Sequence, residues 1–183
     1  MISLLSIALA IYAPMMVEAR RARRHELAQL ARGGVEPPDD VYKMMRVAYP
    51  GAFLAMLLEG VWRGGPPAAA TVAAGATVFV LAKSLKWWAI LTLGPFWTFR
   101  VIVLPGVPLV VRGPYRWLRH PNYVGVIGEL TGAALMTGAL VAGPIATAGF
   151  IALLSKRITV ESRMLEGAAR GTRLAPSVTS RNA

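Results

Sequence analysis

Five apolar stretches, each close to the length of a membrane crossing, divide this 183-residue chain. A helix needs roughly 17–25 mostly apolar residues to cross a bilayer. The first stretch is Met1 to Val17, uncharged, with Pro14 near its end. The second runs from about Val47 to Trp62 and contains Glu59; the third runs from about Ala68 to Leu93, interrupted by Lys83 and Lys86. The fourth runs from about Asn122 to Val141 and the fifth from about Pro144 to Ile158. Gly64-Gly65-Pro66-Pro67 and Ala142-Gly143-Pro144 supply the tight breaks that neighbouring helices need. A soluble domain carries about 25% charged residues; here 16% are charged and 55% hydrophobic, with a mean hydropathy of +0.51. The expected fold class is therefore all-α, an integral membrane bundle of about five helices forming one domain over residues 1–165. Residues 166–183 are expected to be a disordered tail.

The formal charge is +11. In a soluble chain that excess would point to nucleic acid; here it sorts by membrane side, and no nucleic-acid partner is expected. Seven cations fall in residues 18–46, six in 83–119 and six in 156–183, leaving only Arg63 between the second and third stretches. The positive-inside rule makes the crowded side cytoplasmic, with the N-terminus outside and the C-terminus inside. The first stretch is not a signal peptide by charge layout, because Arg20, Arg21, Arg23 and Arg24 follow it and no cation precedes it. There is no Cys and there are only two His, His25 and His120. Thiolate chemistry and a multi-histidine metal site are thus excluded, and no metal is expected. No internal repeat is visible, which weakens an inverted-repeat transporter.

Residues 94–121 contain Pro95, Pro105, Pro108, Pro114 and Pro121, which forbid a long helix. The β-branched runs Val101–Leu104 and Leu109–Val111 flank Pro105-Gly106 and suggest extended backbone with a turn. Irregular backbone is tolerated in lipid only when it is buried in protein or lines a cavity. The segment is either an interfacial anchor, with Trp87, Trp88, Trp97 and Trp117 as belt residues, or part of a ligand site. Arg119-His120-Pro121-Asn122-Tyr123 favours the second reading. Pro121 suits the first turn of the fourth helix, which places His120 beside free helix N–H groups that attract anions. Arg112, Arg116 and Arg119 lie close by in sequence. Together they can hold a carboxylate or phosphate, or form a solvated collar on lipid phosphates.

Within the fourth helix, Gly125, Glu129 and Gly132 share a face, and Gly128 and Gly132 form a small-residue pair. The simplest packing partner is the fifth helix, through the Gly143-Pro144 turn. Glu129 lies about 12 Å along the axis from Pro121. A carboxyl at that depth is expensive and suggests function, unless it is protonated or paired. Glu59 sits four residues before Arg63 and is expected to form a structural ion pair. At the end of the fifth helix, Arg157 and Glu161 are also four apart and face the same way.

Gly113-Pro114-Tyr115-Arg116-Trp117-Leu118-Arg119-His120-Pro121-Asn122-Tyr123-Val124-Gly125 resembles the signature of the isoprenylcysteine carboxyl methyltransferase family at every fixed position. Arg157, Ile158, Glu161 and Leu165 match a second, weaker family pattern in which Ser162 replaces a Glu. The resemblance covers roughly residues 80–165. The Gly94–Val101 and Leu104-Pro105-Gly106 wording is closer still to a bacterial branch associated with type III polyketide synthases. It implies a helical bundle ending in a hairpin, with a cofactor part over 94–165 and S-adenosylmethionine as cofactor. The acceptor implied is lipid-like, isoprenoid or alkylpyrone/phenolic, and enters from the bilayer of a bacterial cytoplasmic membrane. By resemblance, Arg119, His120, Tyr123, Gly125 and Glu161 bind the cofactor, and Arg157 orients Glu161 or the acceptor. A hydroxyl acceptor benefits from a base, and Glu129 is placed to serve. The competing readings are a phospholipid N-methyltransferase and a non-enzymatic membrane scaffold or transporter subunit, which needs no Arg-His-Pro-x-Tyr block. Nothing in the sequence sets the oligomeric state.

Overall fold

The computed structural model describes residues 4–65, 67–104 and 107–174, with side chains to residue 167. Five helices follow one another: α1 Leu4–Ala31, α2 Tyr42–Trp62, α3 Ala69–Leu93, α4 Pro121–Thr137 and α5 Ala142–Leu174. Single 3-10 turns at Gly94–Phe96 and Gly113–Arg116 bracket the proline-rich segment. No strand forms among the described residues. Val103 makes an antiparallel bridge, but with Val35 rather than with residues 109–111. Of the tail expected to be disordered over 166–183, the part through Leu174 continues α5; the rest, and the turn expected at Pro105-Gly106, lie outside the described residues.

The fold is all-α, as the span-length apolar stretches imply. Two helices, α2 and α3 continued through Phe96, are long and apolar enough to cross a membrane by length and composition. That is fewer than the five stretches read from sequence, and the shortfall has separate causes. α1 carries Glu18, Arg20 and Arg21 within its first eighteen residues. α4 has 17 residues, because Gly138 takes up a left-handed conformation (φ 68°) and ends it before Val141. α5 mixes Gly, Pro and Thr into its apolar part before Lys156 and Arg157.

The tightest packing is between α3 and α4, which run antiparallel. A Cβ at Gly132 would lie 2.7 Å from the Phe79 backbone nitrogen, and one at Gly75 would lie 2.8 Å from the Gly132 carbonyl oxygen. Gly128 meets Ala82 and Gly125 meets Lys86 in the same way. The glycine face of α4 is therefore turned to α3, not to α5 as the sequence suggested. The reason is a matching face on α3, where Gly75, Phe79, Ala82 and Lys86 recur at helical spacing. The α4–α5 hairpin still forms, with Gly143 packed on Ala134. Its turn is closed by Glu59 of α2, which accepts the backbone N–H groups of Val141 (3.1 Å) and Ala142 (2.7 Å) at the start of α5. Arg63, the partner expected for Glu59, stands 4.0 Å away, so capping is the larger part of this carboxylate's role. All five helices contribute to one apolar core, with Ile11, Phe53, Phe79, Leu130 and Phe150 at its centre.

α1 continues far past Val17, because residues 18–31 are rich in Ala, Arg, Leu, Glu and Gln, all favourable in helices. Its buried residues are Ile7, Ile11, Glu18, Ala22 and Gln29, spaced alternately four and seven apart along one seam. The far half of that seam grips the proline-rich segment. His25 Nδ1 lies 2.8 Å from the Trp97 carbonyl oxygen, and Gln29 donates to the Pro95 carbonyl at 2.9 Å. Glu26 accepts the N–H groups of Phe99 and Arg100 at 3.2 and 3.3 Å. Trp97, a belt residue if the segment were only an interfacial anchor, is a core residue, 2% exposed, packed with Ala22 and Ile90. Trp88 and Trp117 remain exposed, with ring centroids 5.9 Å apart.

Candidate functional site

A cavity of about 810 Å³ lies where α1, α2, α4 and α5 converge on the proline-rich segment. That volume is within the usual range for small-molecule sites. Its lining has an apolar part, including Tyr12, Met15, Met16, Met45, Pro50 and Leu154, and a polar part, including Tyr115, Arg119, His120, Tyr123, Arg157 and Glu161.

The polar part is built from the start of α4 and the middle of α5. His120 has non-helical backbone (φ −132°, ψ 62°), and its carbonyl accepts the N–H of Tyr123 at 3.0 Å, so it caps α4 with Pro121 as the first helical residue. One turn brings Tyr123 under His120, and their rings stack with centroids 5.2 Å apart and planes 6° from parallel. The Tyr123 hydroxyl accepts from Arg157 Nε at 2.9 Å and donates to Glu161 Oε2 at 2.9 Å. His120 Nδ1 stands 3.9 Å from the same carboxylate oxygen. Arg157 and Glu161 therefore meet through Tyr123. Arg157 also donates to Asp40 at 3.3 Å. Burial first, and the Glu161 charge second, push the Tyr115 hydroxyl well above the usual phenol range, which keeps it a neutral donor.

Five of the residues expected from sequence, Arg119, His120, Tyr123, Arg157 and Glu161, thus share one cavity wall. Arg112 and Arg116 are exposed and do not line it. Two other expected residues face elsewhere. Gly125 turns toward α3, where a Cβ would come 2.8 Å from the Lys86 Cβ. Glu129 is 1% exposed and lies behind the wall. Its carboxylate accepts the Tyr49 hydroxyl at 2.6 Å and pairs with Lys83 at 2.8 Å and Lys86 at 3.4 Å. Glu18 completes the group, 2.7 Å from Lys86 and 3.2 Å from Lys83. Two acids and two lysines so form a neutral buried cluster. Glu129 is thus engaged by Tyr49, Lys83 and Lys86 and does not line the cavity, whereas the base role expected of it needs contact with an acceptor there.

Sequence reasoning missed Asp40, Tyr49 and the pairing of Glu18 with the lysines. The cluster had a usable signal: Glu18, Lys83, Lys86 and Glu129 are equal numbers of opposite charges inside apolar stretches. Asp40 had none, because only the fold brings it to Arg157.

The chain is similar over residues 74–167 to the Isoprenylcysteine carboxyl methyltransferase (ICMT) family. It is 30% identical over 145 residues to the uncharacterized protein YpbQ of Bacillus subtilis, covering 79% of this chain and 86% of that one. It is 24% identical over 139 residues to an uncharacterized protein of Haemophilus influenzae, covering 75% and 80%. No solved structure matches the chain significantly. The chain belongs to the isoprenylcysteine carboxyl methyltransferase family, which supports a membrane methyltransferase.

Proposed function

We propose that this family member is an S-adenosylmethionine-dependent methyltransferase acting at the cytoplasmic face of a bacterial membrane on an oxygen of a lipid-like acceptor. The observation that carries the reading is the mixed lining of one cavity, which brings Arg119, His120, Arg157 and Glu161 together with apolar side chains such as Met15, Met45 and Leu154. When bound, S-adenosylmethionine supplies an electrophilic methyl group on a sulfonium sulfur. The residues of the polar part fit a ligand of that chemistry. Arg119, His120 and the N–H groups opening α4 suit its carboxylate. Glu161, which lines the cavity, suits its ammonium or ribose hydroxyls. Arg157 and Tyr123 hold Glu161 in place, and the stacked His120–Tyr123 pair offers an aromatic wall.

The chain's own groups also bear on the acceptor. The acids lining the cavity are Glu26 and Glu161, and both already accept hydrogen bonds. Glu129 is bound up in the buried cluster. This favours an acceptor oxygen that is ionised before it arrives, a carboxylate or an acidic enol or phenol such as an alkylpyrone, over a simple alcohol. An apolar groove of about 1020 Å³ between α2 and α5 shares Phe150 with the cavity wall, which suits an approach from the bilayer. The proposal takes all five helices as spanning, with the N-terminus outside and residues 1–165 as the methyltransferase domain.

Two measurements test it. Purified full-length protein in detergent should bind S-adenosylmethionine, and a folded His120→Ala variant should bind it about tenfold more weakly, the loss of a hydrogen bond and of the stacked ring. No binding by the wild type overturns the reading. Labelled cofactor supplied with a lipid extract should place the label on an oxygen; label on a headgroup nitrogen would make the protein a phospholipid N-methyltransferase.

A further inference from the structure

The family match begins at residue 74, yet a residue well before it reaches the site. Asp40 lies in the strap between α1 and α2 and has three described partners. Its Oδ1 takes up Arg157 Nη1 at 3.3 Å and the Tyr42 N–H at 3.1 Å, and its Oδ2 accepts the Val101 N–H at 3.0 Å. The strap itself is fastened down. Val35 and Val103 exchange backbone hydrogen bonds at 2.9 and 3.0 Å, and Glu36 pairs with Arg100 at 2.7 Å. The carboxylate is therefore presented to Arg157 from a fixed frame.

We propose that Asp40 is a positioning residue of the cofactor site, acting through Arg157 and Tyr123 to keep Glu161 free for ligand. Arg157 and Glu161 sit one turn apart on α5 and carry opposite charges, so left alone they would pair directly. Asp40 holds one end of the guanidinium, 7% exposed, and turns its Nε toward the Tyr123 hydroxyl. A phenol oxygen that accepts from Arg157 must send its own proton elsewhere, and it goes to Glu161 Oε2 at 2.9 Å. Glu161 Oε1 has no hydrogen-bond partner among the described residues, and the side chain is 32% exposed into the cavity region. Without the Asp40 charge, Arg157 loses its counterion and folds back on Glu161, occupying the acceptor that the ligand needs.

The inference rests on the methyltransferase reading, and the test separates the two. Calorimetric binding of S-adenosylmethionine and S-adenosylhomocysteine would be measured on full-length wild type, Asp40→Asn and Asp40→Glu in detergent, with thermal unfolding as a control. If the wild type binds neither, the reading of the function fails. If the wild type binds, Asp40→Asn should bind about tenfold or more weakly at an unchanged Tm, because a hydrogen bond between charged groups is lost. Asp40→Glu should recover most of that affinity. Wild-type affinity in Asp40→Asn, or equal weakness in both variants, overturns the inference, since the first shows no role and the second shows packing rather than charge. Should Asp40→Asn fail to fold, Arg157→Lys carries the test. Lysine can still reach Asp40 but has no second donor fixed toward Tyr123, so it should bind about as weakly; wild-type affinity there overturns the proposal.

Discussion

The protein holds two sets of paired charges built on opposite plans. Around Glu129, two carboxylates and two ammonium groups from α1, α3 and α4 pair with one another beside the cavity, which Lys86 lines, and Glu18 and Glu129 are each 1% exposed. Around Glu161, the charges form an open line running from Asp40 through Arg157 and Tyr123 to a carboxylate that still has capacity to spare. The first set pairs its charges with one another, although Glu18 Oε2 and Glu129 Oε1 accept no hydrogen bond. The second leaves one end for something else. Depth in the structure therefore says less about function than whether a carboxylate's charge is already matched by the cations around it.

The sharpest way to break this contrast is to cut the sealed cluster. Glu129→Ala leaves Lys83 without its closest partner and Lys86 half-compensated, and should cost about 3–5 kcal/mol, read by denaturant unfolding in detergent. A Glu129→Gln protein with wild-type Tm and cofactor affinity but no methyl transfer would erase the distinction. Gly125 comes next, since it was expected at the cofactor and is found against Lys86. Gly125→Val should destabilise by about 1–3 kcal/mol through overpacking of α3 on α4, while the folded fraction binds cofactor normally. An affinity loss without a Tm loss would return Gly125 to the site. In the open line, Tyr123→Phe should lower stability by only about 0.5–1.5 kcal/mol yet weaken cofactor binding clearly, a split that the sealed cluster should never show. The smallest effect is expected at the rim. Arg163 pairs with Asp39 at 2.8 Å with both side chains about half exposed or more. Arg163→Ala should change stability by less than about 1 kcal/mol and leave affinity alone.

How much of this was legible in the sequence depends on how local each feature is. The polar part of the cavity was legible because its geometry is set within one turn of α4 and one turn of α5. Pro121 fixes the helix start, three residues carry His120 to Tyr123, and four carry Arg157 to Glu161. The glycine face of α4 was legible as a face, but not its partner, because small residues permit close approach without choosing a neighbour. The choice lies in Gly75 and Ala82 of α3, which a reading of α4 alone does not weigh. The burial of Trp97 was not legible for a related reason. An aromatic residue beside prolines suits a membrane surface, and only the far half of α1, extending well past the apolar stretch, provides the cover that buries it. Asp40 lies 117 positions from Arg157, and no spacing rule reaches that far.

The seam on α1 has a mechanical consequence. Its contact face carries Ile7 and Ile11 toward one end and Glu18, Ala22 and Gln29 toward the other, like a key cut with unlike teeth. Sliding the helix by one turn would set a carboxylate among aliphatic side chains. From Ile11 to Gln29 is about 27 Å of unbroken rod. The height of the Pro95–Arg100 segment above the apolar half is thus counted off in residues along that rod. Each residue added or removed there would shift the height by about 1.5 Å and turn the grip by about 100°.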